Sequence, residues 1–208
     1  MGRGKPLKRE KGRRPEQRRF LLYCEGERTE DQYFRGLRGE LRGLPVLICL
    51  GGTHGEPKSL VRAAIAHKQR ASTSAVDRHT AYDEVWCVLD VEAPVPHSSL
   101  DEALGLAERH GIGVVLTNPC FELWILLHFT AMTAYSTSAV MQRLLEKHGG
   151  AGYSVDRKHL DYAVLSPHLD QARQRARALR DGRSDGRTAN PWTDVDVLVE
   201  RLRQARHG

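Results

Sequence analysis

The chain has 208 residues, with 32 Lys and Arg against 26 Asp and Glu, which gives a formal net charge of +6. Residues 1–19 hold nine basic and two acidic side chains, so the remaining 23 basic and 24 acidic residues carry a net charge of −1. The composition, 40% hydrophobic and 28% charged, excludes a wholly disordered chain, and no apolar run reaches the roughly 20 residues of a membrane helix. The N-terminus lacks the apolar stretch of a signal peptide, so we expect a cytoplasmic protein that does not act in a membrane.

The first part of the chain is predicted to alternate between strands and helices, after a flexible basic arm over residues 1–18. Four apolar runs are continuous rather than alternating, which is typical of strands buried on both faces of a parallel sheet. The predicted strands are Phe20–Cys24, Val46–Leu50, Val85–Asp90 and Gly113–Thr117. Helices are predicted from Thr29 to about Leu41, from near Pro57, and from Ser99 to His110, with Thr29 and Ser99 as the first residues of capping boxes.

After Pro119 the pattern predicts only helices, joined by loops. The predicted segments are Phe121–Phe129, Ala139–His148, Pro167–Asp181 and Pro191–Arg206, the last with Asn190 as its cap. We therefore predict an α/β fold with a parallel sheet of about four strands. Its core spans residues 19–130, and a helical extension over residues 131–208 packs on it.

Acidic residues follow three of the predicted strands. Glu25 and Glu30 come after the first strand, Asp90 and Glu92 after the third, and Glu122 after the fourth. Because reactive groups in open parallel sheets gather at the carboxyl ends of the strands, we expect these acids to approach one another. Converging carboxylates repel each other, and a divalent cation such as Mg²⁺ would compensate them. Solvated loop acids, favoured near helix starts by the helix dipole, are the alternative interpretation.

Four segments of the chain carry a resemblance to the RloB-like proteins. They are YCEGERTEDQYF (Tyr23–Phe34), VWCVLDVE (Val85–Glu92), TNPCFELWILLHF (Thr117–Phe129) and NPWTDVDVLVERL (Asn190–Leu202). The resemblance implies a Toprim-like fold, in which Glu25 acts as general acid or base and Asp90 and Glu92 bind Mg²⁺ or Mn²⁺. It also implies a role in anti-phage defence or abortive infection, with an ABC-type ATPase as a possible partner.

The sequence departs from the family pattern after the third strand. The family has Asp-x-Asp followed by polar or His residues, whereas this chain has DVEAPVPH, with Glu92 in place of the second Asp. The longer Glu stem shifts the oxygens, which could weaken metal binding. We expect His97 to be an exposed loop residue, with replacement of the family's polar group as the alternative. Glu30, Asn118 and Glu122 are possible additions to the site, although Asn118 could instead cap the following helix.

The main functional hypothesis is a Mg²⁺-dependent nuclease acting on nucleic acid in phage defence. Residues expected to contact nucleic acid are Arg13, Arg14, Arg18, Arg19 and Lys58. One alternative is a non-catalytic nucleic-acid-binding or regulatory subunit of an ATPase, with a degenerate Toprim site. Another is a protein that binds nucleic acid through its basic arm alone. The sequence does not indicate the oligomeric state.

Overall fold

The computed structural model describes residues 18–42, 46–52, 54–73, 82–181, 183 and 186–205. The side chains of 46–49, 71–73 and 188 lie outside this description, as do Arg13, Arg14 and nearly all of the predicted basic arm. Within the described ranges, no helix is both long and apolar enough to cross a membrane.

A five-stranded sheet forms the centre of the molecule, in the order β2-β1-β3-β4-β5. The first four strands are parallel, as predicted, and the two-residue β5 pairs antiparallel with β4. The strands are β1 (Arg18–Cys24), β2 (Val46–Leu50), β3 (Glu84–Asp90), β4 (Gly113–Asn118) and β5 (Trp192–Thr193). The prediction of a mixed α/β fold with a mainly parallel sheet is confirmed.

Eight α-helices accompany the sheet in the described residues, and five of them follow β4. The first three are α1 (Thr29–Glu40), α2 (Pro57–Thr73) and α3 (Leu100–Arg109). The remaining five are α4 (Glu122–Leu127), α5 (Ser138–His148), α6 (Tyr162–Leu165), α7 (Leu169–Asp181) and α8 (Val195–Gln204). The predicted helical character of the C-terminal part is therefore confirmed.

Both faces of the sheet are covered, which explains why its strands are continuously apolar. In β1, Leu21 and Tyr23 pack with α2 and α3, whereas Phe20, Leu22 and Cys24 face the other side. That second side forms the larger core and includes residues of α1, α4, α5, α7 and α8. The C-terminal helices thus share one hydrophobic core with β1 and α1.

The predicted helix over Pro191–Arg206, capped by Asn190, is wrong at its start. Residues Trp192 and Thr193 form β5, and α8 begins only at Val195. Tertiary hydrogen bonding overrides the local helix signal here, because the free edge of β4 offers partners. The Leu116 carbonyl accepts the Asp194 N–H (3.1 Å), and the Asp194 carboxylate accepts the Leu116 N–H (2.6 Å).

The capping box predicted at Thr29 also differs from the structure. Arg28 occupies the cap position, and Thr29 is the first residue of α1. The Thr29 hydroxyl lies 3.5 Å from Oε1 of Glu122 instead of bonding to the helix backbone. The Gln32 side chain bonds to the loop before Asp161, so both predicted capping residues serve tertiary contacts.

The strand order places a topological switch between β1 and β3. From β1 the chain crosses to β2 on one side, and it later returns to β3 on the other. Loops leaving the carboxyl ends of β1 and β3 diverge at such a point and leave a crevice between them, where open α/β sheets bind ligands. Glu25 directly follows β1, and Asp90 ends β3, so both lie at this crevice.

Candidate active site

A cavity of about 320 Å³ lies at the switch point between β1 and β3, and we call it the acidic cavity. The carboxylates that line it come from the carboxyl ends of β1 and β3, from the loops that follow them, and from the first turns of α1 and α4. These acids are Glu25, Glu27, Glu30, Asp90, Glu92 and Glu122. The structure therefore brings together five acids that the sequence singled out, from segments up to about 97 residues apart.

Glu25 is held rigidly where β1 ends. Its backbone N–H extends the ladder by donating to the Val88 carbonyl (3.1 Å), and its Oε2 accepts the Asp90 N–H (3.0 Å). Its Oε1 lies 2.9 Å from Nε2 of His97. Burial raises the pKa of Glu25, and the hydrogen bond from the Asp90 N–H and the nearby His97 partly offset that rise.

Glu92 and His97 complete a three-residue cluster with Glu25. Glu92 adopts a left-handed backbone conformation with φ of 66°, and its Oε1 lies 3.6 Å from Nε2 of His97. The loop is closed by the His97 N–H, which donates to the Val91 carbonyl (3.2 Å). The expectation that His97 is an exposed loop residue is wrong, because its side chain is only 27% exposed and contacts Glu25.

Three further carboxyls form the interior of the acidic cavity. Glu30 and Glu122 are 5% and 4% exposed, and Oδ1 of Asp90 is buried without a hydrogen-bond partner in the described structure. Burial, followed by repulsion from Glu122, raises the pKa of Glu30 to about 7. Burial and repulsion from Glu30 raise the pKa of Asp90 well above its ordinary range. The interior therefore favours binding of protons or cations.

Two hydroxyl groups hold Glu122, and sequence reasoning did not identify either of them. The Tyr153 hydroxyl donates to its Oε1 at 2.7 Å, and the Thr29 hydroxyl lies 3.5 Å from the same atom. Although Glu122 is the first residue of α4, its side chain is buried. It therefore belongs to the cavity and is not a solvated acid at a helix start. No local signal marks Tyr153, because its loop reaches the cavity only through tertiary packing.

Asn118 lies at the end of β4 but does not line the acidic cavity. Its Oδ1 accepts a hydrogen bond from Nδ2 of Asn190 at 3.0 Å. Asn190 also donates to the Ser136 carbonyl and accepts the Ser136 N–H, so it joins β4 to the loop before α5. Phe121, rather than Asn118, occupies the cap position of α4. Asn118 thus belongs to a structural amide pair.

Of the basic residues named from the sequence, the structure describes Arg18, Arg19 and Lys58, and none of these three lines the acidic cavity. Arg18 and Arg19 begin β1, which has seven residues, so they lie about 20 Å from its carboxyl end. Arg18 forms an ion pair with Glu84 (2.8 Å), and Arg19 lies over the ring of Tyr82. Lys58 is the second residue of α2 and forms an ion pair with Glu102 at 2.7 Å.

Two cations that the sequence did not single out do line the acidic cavity. They are Arg28, just before α1, and Lys158, in the loop before α6. Ser138 and Gln142 of α5 also line the cavity. The C-terminal part of the chain therefore adds Lys158 and two polar side chains to a cavity whose acids come from residues 25–122.

The cluster of Glu25, Glu92 and His97 fits a divalent metal ion. Each residue offers one ligand atom, and these atoms lie within 4.8 Å of one another. Asp90 lines the same cavity, and its buried Oδ1 lacks a hydrogen-bond donor in the described structure. Carboxylate oxygens suit Mg²⁺ and Mn²⁺, and an imidazole nitrogen shifts the preference towards Mn²⁺ and later transition metals.

Comparison with known proteins gives one family and no individual relative. Neither the curated proteins nor the solved structures contain a match to this chain. The family model described as RloB-like protein matches residues 20–202, from β1 to α8. The matched region includes every acid of the cavity as well as Lys158. The chain therefore belongs to the RloB-like protein family.

Proposed function

We propose that the protein is a divalent-metal-dependent nuclease that cleaves phosphodiester bonds at the acidic cavity. The convergence of Glu25, Asp90, Glu92 and the buried Glu30 and Glu122 around one cavity carries this proposal. A buried group of this kind is unfavourable without protons or cations, so the fold is built to hold positive charge there. A cation at this position would allow an anionic phosphodiester to approach acids that otherwise repel it.

The proposed roles follow the contacts of each side chain. Asp90 and Glu92 would hold the metal ion, and His97 would add a nitrogen ligand. Bound metal would polarise the phosphoryl oxygen and stabilise charge on the leaving oxygen. Glu25, rather than serving as a metal ligand, would act as general acid or base. It would take a proton from the attacking oxygen or give one to the leaving oxygen, because a carboxyl with a raised pKa exchanges protons closer to neutral pH than an exposed one does. The Asp90 N–H fixes one of its oxygens and leaves the other facing His97.

The experiment is a cleavage assay on labelled single- and double-stranded DNA and RNA with Mg²⁺ or Mn²⁺. We expect Glu25→Gln and Asp90→Asn each to lower the rate by at least about a hundredfold. We expect His97→Ala to weaken Mn²⁺ binding, measured by electron paramagnetic resonance, by about tenfold or more. Glu108→Gln is the control, because Glu108 is an exposed acid near the end of α3.

Full cleavage activity in both Glu25→Gln and Asp90→Asn would refute the proposed site. Nucleic-acid binding without metal binding at millimolar concentration would instead support the regulatory-subunit alternative. We further propose an anti-phage role, with which membership of the RloB-like family is compatible, and an ABC-type ATPase as the partner. A phage infection assay with the wild-type protein and Asp90→Asn tests that role, because only a catalytic contribution is lost in the variant.

A further inference from the structure

The acidic cavity is also lined by two basic side chains. They are Arg28 and Lys158, and neither forms an ion pair with a carboxylate in the part of the chain that the structure describes. Six carboxylates line the same cavity, so two unpaired cations there are unusual. Their positive charge remains available to an incoming anion.

The loop carrying Lys158 is tied to the start of α1. The Gln32 side chain forms two hydrogen bonds with this loop: Nε2 donates to the Lys158 carbonyl (3.1 Å), and Oε1 accepts the Leu160 N–H (2.8 Å). The Lys158 N–H donates to the Ser154 carbonyl (2.7 Å), and Arg28 donates to the Arg157 carbonyl (3.3 Å). Four hydrogen bonds therefore fix this loop.

The backbone conformation at Lys158 fixes the direction in which its side chain leaves the loop. Lys158 has φ of 47°, a left-handed conformation that residues other than glycine adopt at a cost. The side chain is half-buried at the cavity edge. Glu30 and Gln32 both lie in the first turn of α1, so this turn positions one of the acids and also the loop that carries Lys158.

We propose that Lys158 contacts a phosphate of the nucleic-acid backbone and positions it beside the carboxylates of the acidic cavity. The inference rests on the proposed nuclease function and adds the residue that orients the substrate. A lysine ammonium is a compact charge that reaches phosphate oxygens from several directions. The phosphate then lies between a cation held by the acids and the ammonium of Lys158, with Arg28 beside it at the exposed edge.

The test measures binding of a labelled oligonucleotide by fluorescence anisotropy at several salt concentrations, with Ca²⁺ present so that cleavage does not interfere. Lys158→Gln removes the charge and keeps most of the stem, and Lys158→Arg restores the charge. Lys147→Gln is the matched control, because Lys147 is exposed on α5 outside the cavity. Mn²⁺ affinity and thermal unfolding of each variant are measured in parallel.

We expect Lys158→Gln to weaken binding by about tenfold, as loss of one charged hydrogen bond predicts. The slope of log affinity against log salt should fall in magnitude by about 0.7 on single strands or about 0.9 on duplexes. Mn²⁺ affinity should stay the same or rise, because a nearby positive charge is removed. Lys158→Arg should recover most of the affinity and the slope, whereas Lys147→Gln should match the wild-type protein.

Three results would overturn the inference. They are an unchanged affinity and slope in Lys158→Gln, weaker binding with an unchanged slope, and absence of binding by the wild-type protein. The second result would mean that Lys158 only offsets the cavity acids. If the wild-type protein binds nucleic acid but does not cleave it with any metal ion tested, the nuclease proposal fails. The slopes of affinity against salt concentration still decide the role of Lys158.

Discussion

Replacing Glu30 with glutamine is expected to stabilise the protein at neutral pH. The Glu30 carboxyl is 5% exposed, and burial raises its pKa from 4.5 to about 7. Between these two values the folded protein retains a proton that the unfolded chain has released. The free energy of unfolding therefore falls as the pH rises through this window, and the loss is complete above about pH 7.

The size of this effect follows from the change in pKa. At about 1.4 kcal/mol per pH unit, the rise from 4.5 to about 7 costs the folded state about 3 kcal/mol when Glu30 is ionised. Glutamine carries no charge, and its carbonyl oxygen can still accept the Gly26 N–H that Glu30 accepts at 3.1 Å. Repulsion on Asp90 also decreases, which adds to the gain.

The assay is urea unfolding of the wild-type protein and Glu30→Gln between about pH 4.5 and pH 8, with a chelator present so that no metal compensates the acids. The stability difference between the two proteins should grow with pH and reach about 3 kcal/mol near pH 8. Glu27→Gln, at an exposed position on the same cavity, is the control and should follow the wild-type curve. A stability difference that is the same at both ends of the range would refute the reasoning, as would a Glu30→Gln protein less stable than wild type at pH 8.

Two further predictions concern packing and a buried ion pair. Gly26→Ala should cost about 1–3 kcal/mol, because its Cβ would lie 2.1 Å from Oε2 of Glu30. Gly39→Ala, where a Cβ meets nothing within 4 Å inside α1, should instead stabilise the protein by about 0.5–1 kcal/mol, and chemical denaturation distinguishes the two variants. Arg180→Ala should cost about 3 kcal/mol, the lower end for a broken buried ion pair, because both oxygens of the 1%-exposed Asp196 lose their hydrogen bonds to Arg180 while Arg177 remains 3.8 Å from Oδ2. A loss below about 1 kcal/mol in that variant would contradict a structural role for this pair.

The sheet could be predicted because its strands are covered on both faces. Residues such as Phe20 and Leu21 face opposite cores, so each strand is a continuous apolar run that stands out from the helical segments. The short β5 could not be predicted, because its two residues follow a sequence typical of a helix start. β5 forms because its residues pair with the edge of β4 and because the Asp194 carboxylate accepts the Leu116 N–H. Both interactions join residues more than 70 positions apart, so the sequence around β5 does not reveal them.

The acids of the candidate site could be found from their position after strands, whereas their partners could not. Glu25 and Asp90 follow apolar runs directly, so the parallel sheet alone brings them to one edge. Tyr153 and Lys158 lie in a loop without periodicity, and they reach the cavity through contacts with α1 and α4. His97 was misjudged because its loop folds back on Glu25 through the Val91 carbonyl.

The two hydrogen bonds from Gln32 to the loop before α6 join residues that are far apart in the chain: Lys158 is 126 positions and Leu160 is 128 positions from Gln32. During synthesis, every acid of the cavity emerges from the ribosome before this loop does. An unfinished chain therefore carries the carboxylates and Arg28 but lacks Lys158 and Tyr153, whose hydroxyl donates to Glu122. We therefore expect the cavity to be complete only when the last third of the polypeptide has folded onto α1 and α4.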